Sequence, residues 1–192
     1  MKEYRNGIGL IALLLIGSMG LAAAQSVQDK KEDRKSQRAE KKAQQEVEAK
    51  MMFEKAAKLV EERNLVLEAI TVRGKYGSAV NVGPNNYIMI DSSEFVLQTS
   101  FPGGVGFNGL GGITAKGSVS SYKVSRNDKT NVITVIAQVS TLSIGQGTLT
   151  IQLGSSGNAS ATFVNNWGGR IEFNGPIESV EESRVFEGMR RF

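Results

Sequence analysis

GTLTIQLGSSGNASATFVNNWGGRIEFNGPIE, residues 147–178, alternates apolar and polar side chains through three runs and breaks the alternation only at glycine, serine and asparagine. Leu149, Ile151 and Leu153 share one face while Thr148, Thr150 and Gln152 share the other. Ala159, Ala161 and Phe163 repeat the pattern, and so do Ile171, Phe173, Gly175 and Ile177. A period of two with one apolar face marks a half-buried strand. The connections GQG (145–147) and GSSGN (154–158) are hairpin-sized and carry turn residues, so each strand lies antiparallel to the next.

The same reading extends upstream. Ile113–Val124 and Asn131–Ile144 form two long strands joined by RNDKT. In the first, Ile113, Ala115, Gly117 and Val119 share a face but Tyr122 and Val124 lie on the other, so the apolar phase slips near Ser120 and Ser121. Its partner runs through Ile133, Val135, Ala137 and Val139 and slips again toward Leu142 and Ile144. Paired slips predict a bulge or strong coiling, as in a strand bending around a barrel. Further back, Tyr87–Ile90 and Phe95–Phe101 flank a turn at 91–93, and Val80 and Val82 begin a short strand broken by GPNN. Leu65, Leu67 and Ala69 alternate with Val66, Ile70 and Val72, which makes the first strand apolar on both faces. Residues 65–178 are thus mainly β, with eight or nine antiparallel strands in up-and-down order. Local connections favour a meander barrel, or a barrel-like sheet, over a Greek-key sandwich. The segment is long enough for one core.

Ahead of the strands the period becomes helical. Ala49, Met52, Phe53, Ala56, Leu59 and Val60 fall on one face, which predicts a helix that docks on the β domain and closes near Asn64. Residues 26–46 are almost wholly charged or glutamine and bury no face, so they form a solvated, coiled-coil-like helix or a spacer. Residues 25–64 are read together as this charged segment and the amphipathic helix, and residues 179–192 as a tail without clear period. Residues 1–24 have the parts of an export signal: Lys2 and Arg5, an apolar run from Ile8 to Leu21, and Ala22-Ala23-Ala24 before the cleavage site. The run falls short of the roughly 20 residues that span a bilayer, so no stable membrane insertion is expected after cleavage. With no Cys the lipoprotein route is closed, and the destination is the periplasm or the exterior.

The formal charge of +4 is no footprint for nucleic acid, because acids are interleaved with bases in every segment. With neither His nor Cys, the commonest general base, metal ligand and thiol nucleophile are missing. Asp91 and Glu94 are the nearest approach to an acid pair, but they sit in a turn. GVGFNG at 104–109 fits the glycine pattern of a phosphate loop, yet a strand follows it where a helix is required. Asn158-Ala159-Ser160 fits a glycosylation triplet at a strand start. The terminal Phe192 lacks the apolar alternation of an outer-membrane strand at residues 184 to 190. No catalytic residue, metal or cofactor is expected. The glycine-rich loop reads as a flexible cover over a barrel mouth, and Phe101, Phe107, Leu110 and Trp167 are the candidates for lining that mouth.

KKEDRKSQRAEKK (30–42), FEKAAKLVEERNLVLEA (53–69), FNGLGGITAKGSVSSYKV (107–124) and GTLTIQLGSSGNASATFVNNWGGRIEFNGPI (147–177), in that order, resemble an exported bacterial family catalogued as domain of unknown function 4251. The resemblance implies a signal peptide, a charged N-terminal helix and a β-barrel-like domain similar in topology to lipocalins. It brings no catalytic residues. The glycines of GLGGIT and WGGR match its pattern and are expected at turns and positive φ. Two functions follow as expectations: a non-catalytic exported domain that binds a small apolar or amphipathic ligand, or an envelope interaction module with a protein partner and no pocket.

Overall fold

The structure, a computed structural model, describes the backbone of residues 7–101 and 106–185 and the side chains of residues 34–101 and 106–185. Residues 1–24, read above as an export signal, and Gly104 and Phe192 lie outside the described side chains. The chain divides into two compact units, residues 1–47 and 48–192. A helix, α1 (Gly7–Glu62), passes from one to the other. In the first unit every described side chain is exposed, and Lys42 pairs with Glu46 across one helical turn at 3.7 Å. Among the described residues no helix is long and apolar enough to cross a membrane.

The second unit carries ten strands: β1 (Asn64–Glu68), β2 (Thr71–Gly74), β3 (Val80–Asn81), β4 (Tyr87–Asp91), β5 (Glu94–Gln98), β6 (Thr114–Asn127), β7 (Val132–Thr141), β8 (Gly145–Leu153), β9 (Asn158–Asn165) and β10 (Arg170–Glu178). They pair antiparallel in the order β1-β4-β5-β6-β7-β8-β9-β10, and pairing of β1 with β10 closes an eight-stranded barrel. The extra strands continue it at one end, β2 on β10 and β3 on β2. β1 and β2 both run along β10, with Val66 opposite Glu178 and Thr71 opposite Asn174. The register shifts by one residue between them, so they form one strand bent at Ala69 and Ile70.

The slip expected in β6 is present, as a register shift against β7 between Val119 and Ser121. It brings Tyr122 inward, opposite Ala137. The second slip is not a bulge: Leu142 lies in the β7–β8 turn with its side chain fully in solvent. The apolar faces of the strands and one stripe of the helix meet in a single core. At its centre Leu65, Leu67, Ile90, Phe95, Ile133, Leu149, Ile151 and Phe173 are completely enclosed, and the Phe95 and Phe163 rings lie 6.1 Å apart.

The end of α1 caps the barrel. Phe53, Ala56, Leu59 and Val60 are buried in the core, as the apolar spacing required, and Ala57 is buried beside them. Met52 departs from that expectation: its side chain is 62% exposed. It sits on the flank of the stripe, about 100° round from Phe53, where the β8–β9 turn meets the helix through Gly157. That glycine has φ 81°, and a Cβ there would come within 2.7 Å of the Met52 Cβ. Polar contacts fasten the margin. Lys55 reaches Glu178 at 3.2 Å and Glu182 at 2.7 Å, and Arg126 reaches Glu54 at 3.3 Å with its guanidinium over the Phe53 ring.

The helix ends at Glu62, before the expected close near Asn64. Arg63, at φ 56°, turns the chain, and Asn64 already belongs to β1. A helix C-terminus leaves carbonyls without intrahelical partners; the Tyr122 hydroxyl donates to that of Val60 at 2.6 Å, while the Arg63 guanidinium lies 4.8 Å from the Tyr122 ring centre. Burial pushes the Tyr122 phenol up from its ordinary value, against a smaller opposing pull from Arg63. The neutral phenol is therefore the form the fold prefers, and its stabilisation is complete below the unfolded value of about 10 and is lost as pH rises above it. Tyr122→Phe should cost about 1 kcal/mol at neutral pH, the worth of one hydrogen bond. The gap in melting temperature between parent and variant should close as pH is raised from about 8 to about 11. A gap that stayed constant across that range would show that Tyr122 ionises freely in the folded protein.

The outward apolar residues of the first strand have a cover. Val66, Tyr87 and Val96 form a second small cluster on the outside of the barrel, with Met89, and Val180 and Val185 from the tail pack on it. Asn64 accepts the Val180 N–H at 3.0 Å and Glu68 accepts the Arg184 N–H at 3.1 Å, which holds residues 180–185 against the wall.

Candidate functional site

Antiparallel order sends alternate connections to opposite ends of the barrel. The helix occupies the end that holds the β4–β5, β6–β7 and β8–β9 turns. The other end is formed by the β2–β3, β5–β6, β7–β8 and β9–β10 connections, with the β3–β4 connection lying against the start of the β5–β6 connection. Phe101, Phe107 and Leu110 stand on the β5–β6 connection and Trp167 on the β9–β10 turn, so all four candidates fall at this open end.

Their surroundings differ. Phe101 is half-buried against the core, as are Val82, Ile144 and Ile171, and these four apolar residues mark the inner edge of the mouth. Leu110 is half-buried, and its carbonyl accepts from the Ser100 hydroxyl at 2.8 Å. Phe107 and Trp167 project outward, 67% and 76% exposed. Two further tips carry large side chains that the strand pattern concealed: Tyr76 on the β2–β3 connection, 91% exposed, and Leu142 on the β7–β8 turn. The β2–β3, β5–β6, β7–β8 and β9–β10 connections therefore each present one large apolar or aromatic side chain to solvent.

Hydrogen bonds tie residues 106–113 of the loop that bears Phe107 and Leu110 to its base. Asn108 is almost completely buried; its amide donates to the Thr99 carbonyl at 2.9 Å and the Thr114 hydroxyl at 3.2 Å, and its oxygen accepts the N–H groups of Leu110 and Gly112. Gly109 and Gly111 take φ 76° and 81°, which fits the expected role of the GLGGIT glycines. The seam between the β3–β4 connection and β5 is closed by side-chain amides. Asn86 pairs with both the N–H and the carbonyl of Ser100, in place of a strand residue, and Gln98 donates to the Asn85 carbonyl. The β9–β10 turn leans on its neighbour: the Asn166 N–H donates to Gln146, and the Trp167 ring lies over Gly145.

The charges are divided between the ends. No connection at the open end contains an Asp or Glu; Lys75 lies on the β2–β3 connection, and Arg73 on β2, Arg170 and Glu172 on β10 and Lys116 on β6 flank these connections. Lys75 stands over the Tyr76 ring at 5.1 Å, and Arg170 pairs with Glu172 at 3.5 Å. Asp91, Glu94, Asp128, Glu178 and Glu182 gather around the helix end. Asp91 and Glu94 face each other across the β4–β5 turn, with Glu94 reaching Lys116 at 3.8 Å and Asp91 accepting from Ser92, as a solvated turn would have them. Among the described residues no group of three or more acids could hold a metal ion. The GVGFNG glycines lead into β6 and not into a helix.

A groove of about 570 Å³ opens on the outer wall, bordered by Ile70, Thr71, Val132, Gln152, Ser160 and Asn174. Its polar members line up across paired strands, Gln152 beside Ser160, Ser160 beside Asn174 and Asn174 beside Thr71, without a charge among them.

Comparison with known proteins agrees with this architecture. No curated protein matches the chain. A crystal structure of a DUF4251 family protein from Bacteroides eggerthii DSM 20697 is similar, with a TM-score of 0.59 and 24% sequence identity, covering 71% of this chain and 93% of that one. At that identity the likeness speaks for the fold alone. The model of the family described as Domain of unknown function (DUF4251) matches residues 40–177, well over half of the 192 residues. The chain belongs to the DUF4251 family.

Proposed function

We propose that the protein is an exported, non-catalytic binding module that works through the open end of its barrel on an apolar or amphipathic ligand. The observation that carries this reading is the set of half-buried apolar residues, Val82, Phe101, Ile144 and Ile171, at the inner edge of a mouth whose tips include Phe107 and Trp167. Binding deeper is disfavoured, because the middle of the barrel is packed with its own side chains and a guest there would have to displace them. The mouth offers an apolar surface with amides and hydroxyls nearby, the mixture that small-ligand sites use to combine affinity with orientation.

Trp167 is the only tryptophan, so the mouth carries its own reporter. Laurate or dodecylphosphocholine, kept below micelle formation, should move Trp167 emission to shorter wavelength in a saturable way. Phe101→Ser should weaken that response several-fold. An emission spectrum unmoved by either amphiphile would overturn the reading.

A further inference from the structure

We infer that the open end docks on the surface of an anionic lipid bilayer, with Tyr76, Phe107, Leu142 and Trp167 entering the headgroup region. This inference rests on the open end being the working surface and names its partner. A ligand held in the mouth would use side chains that face the barrel axis. Leu142, by contrast, is fully exposed and stands at a tip, beyond the half-buried inner edge. What engages the tips of all four connections at once is an extended surface, and the tips are of the kinds that settle at a membrane interface. Tyr and Trp present an apolar body with a polar end, and Phe and Leu are apolar throughout.

Charge selects the surface. The four connections contain no carboxylate, and Arg73, Lys75 and Arg170 outnumber Glu172 just behind them. Acids approaching a phosphate-rich surface would repel it, and the protein keeps most of its own at the helix end. Cations behind an apolar tip match the arrangement of a bilayer, where acyl chains lie beneath anionic headgroups. The rim is also built to hold its shape. Asn108 fixes the loop behind Phe107, and the Trp167 ring rests on Gly145, so the tips are ordered before contact.

The full mature chain should be sedimented with vesicles of phosphatidylcholine alone and with vesicles containing about 30% phosphatidylglycerol, near 0.1 M salt where charge is only partly screened. Binding to the anionic vesicles, at least ten-fold above neutral ones and accompanied by a blue shift of Trp167 emission, is the expected result. Leu142→Ser, at a side chain that contributes nothing to the core, should reduce it about ten-fold without changing the melting temperature. Lys75→Glu with Arg170→Glu should abolish the preference for anionic lipid. Equal binding to both vesicle types, or unchanged binding by Leu142→Ser, overturns the inference. So does an absence of vesicle binding; if laurate still shifts Trp167, the mouth reading survives alone, and if laurate also fails, both fall.

Discussion

Phe53→Ala is expected to destabilise the protein by about 3–5 kcal/mol, the range for emptying a buried aromatic site. Its ring is buried in the core cluster, where the helix closes the barrel, and the Arg126 guanidinium lies over it at 5.4 Å from the ring centre. Truncation would leave a void between α1 and the strands that the rigid barrel cannot collapse to fill. Lys55→Ala, two residues on, removes a surface ion pair with Glu178 and Glu182, and such exposed pairs contribute little. The Phe53 variant should melt on the order of 10 °C below the parent, and the Lys55 variant close to it. Equal melting temperatures would show that the helix does not pack on the barrel in solution.

How much of this was legible depends on whether a residue's neighbours are local. β8, β9 and β10 could be read directly, because Thr148, Thr150 and Gln152 are polar outside while Leu149, Ile151 and Leu153 are apolar inside. The β6 bulge was legible for the same reason: a shift of one residue moves every later side chain to the other face, and Tyr122 announced it. Leu142 misled, since an apolar residue in a tight turn imitates a slip of phase. In the helix, a stripe of six apolar positions could not say which flank would be covered, and Met52 proved to be the exposed one. The tail was opaque. Among the described residues only Val180 and Val185 bring apolar side chains onto that outer cluster, too few for a period, although the first strand, apolar on both faces, left Val66 outward.

At the open end, Phe101, Phe107, Leu110 and Trp167 were found by being large and apolar within glycine-rich connections. Tyr76 escaped because a single aromatic in KYGS looks like an ordinary turn. The framework beneath them escaped altogether. Asn86 and Asn108 are loop-type residues by composition while Gln98 ends β5, and nothing local distinguishes a solvated amide from one that is enclosed and fully bonded. The distinction lies in partners such as Ser100 and Thr114, which only the closed barrel brings near.

That framework yields the second large effect. Asn108→Leu keeps the branching at Cγ but deletes four hydrogen bonds, leaving the Thr99 carbonyl and the N–H groups of Leu110 and Gly112 without their present partner. Each buried group so stranded costs about 1–3 kcal/mol, so a total of about 3 kcal/mol or more is expected, comparable to Phe53→Ala. The two losses should differ in place. Removing Phe53 loosens the helix end, whereas removing the Asn108 amide should release residues 106–113 first, since a loop without its bonds opens locally before the barrel does. Hydrogen exchange should then accelerate at Leu110 and Gly112 while β8 and β9 stay protected, and the Trp167 response to laurate should weaken only in so far as the loop shapes the mouth. Asn166→Ala, at an exposed neighbour of Trp167, should leave exchange in 106–113 unchanged. If Asn108→Leu melted within about 2 °C of the parent with unaltered exchange at Leu110, well short of the shift that 3 kcal/mol implies, the loop would be held by something other than its buried amide.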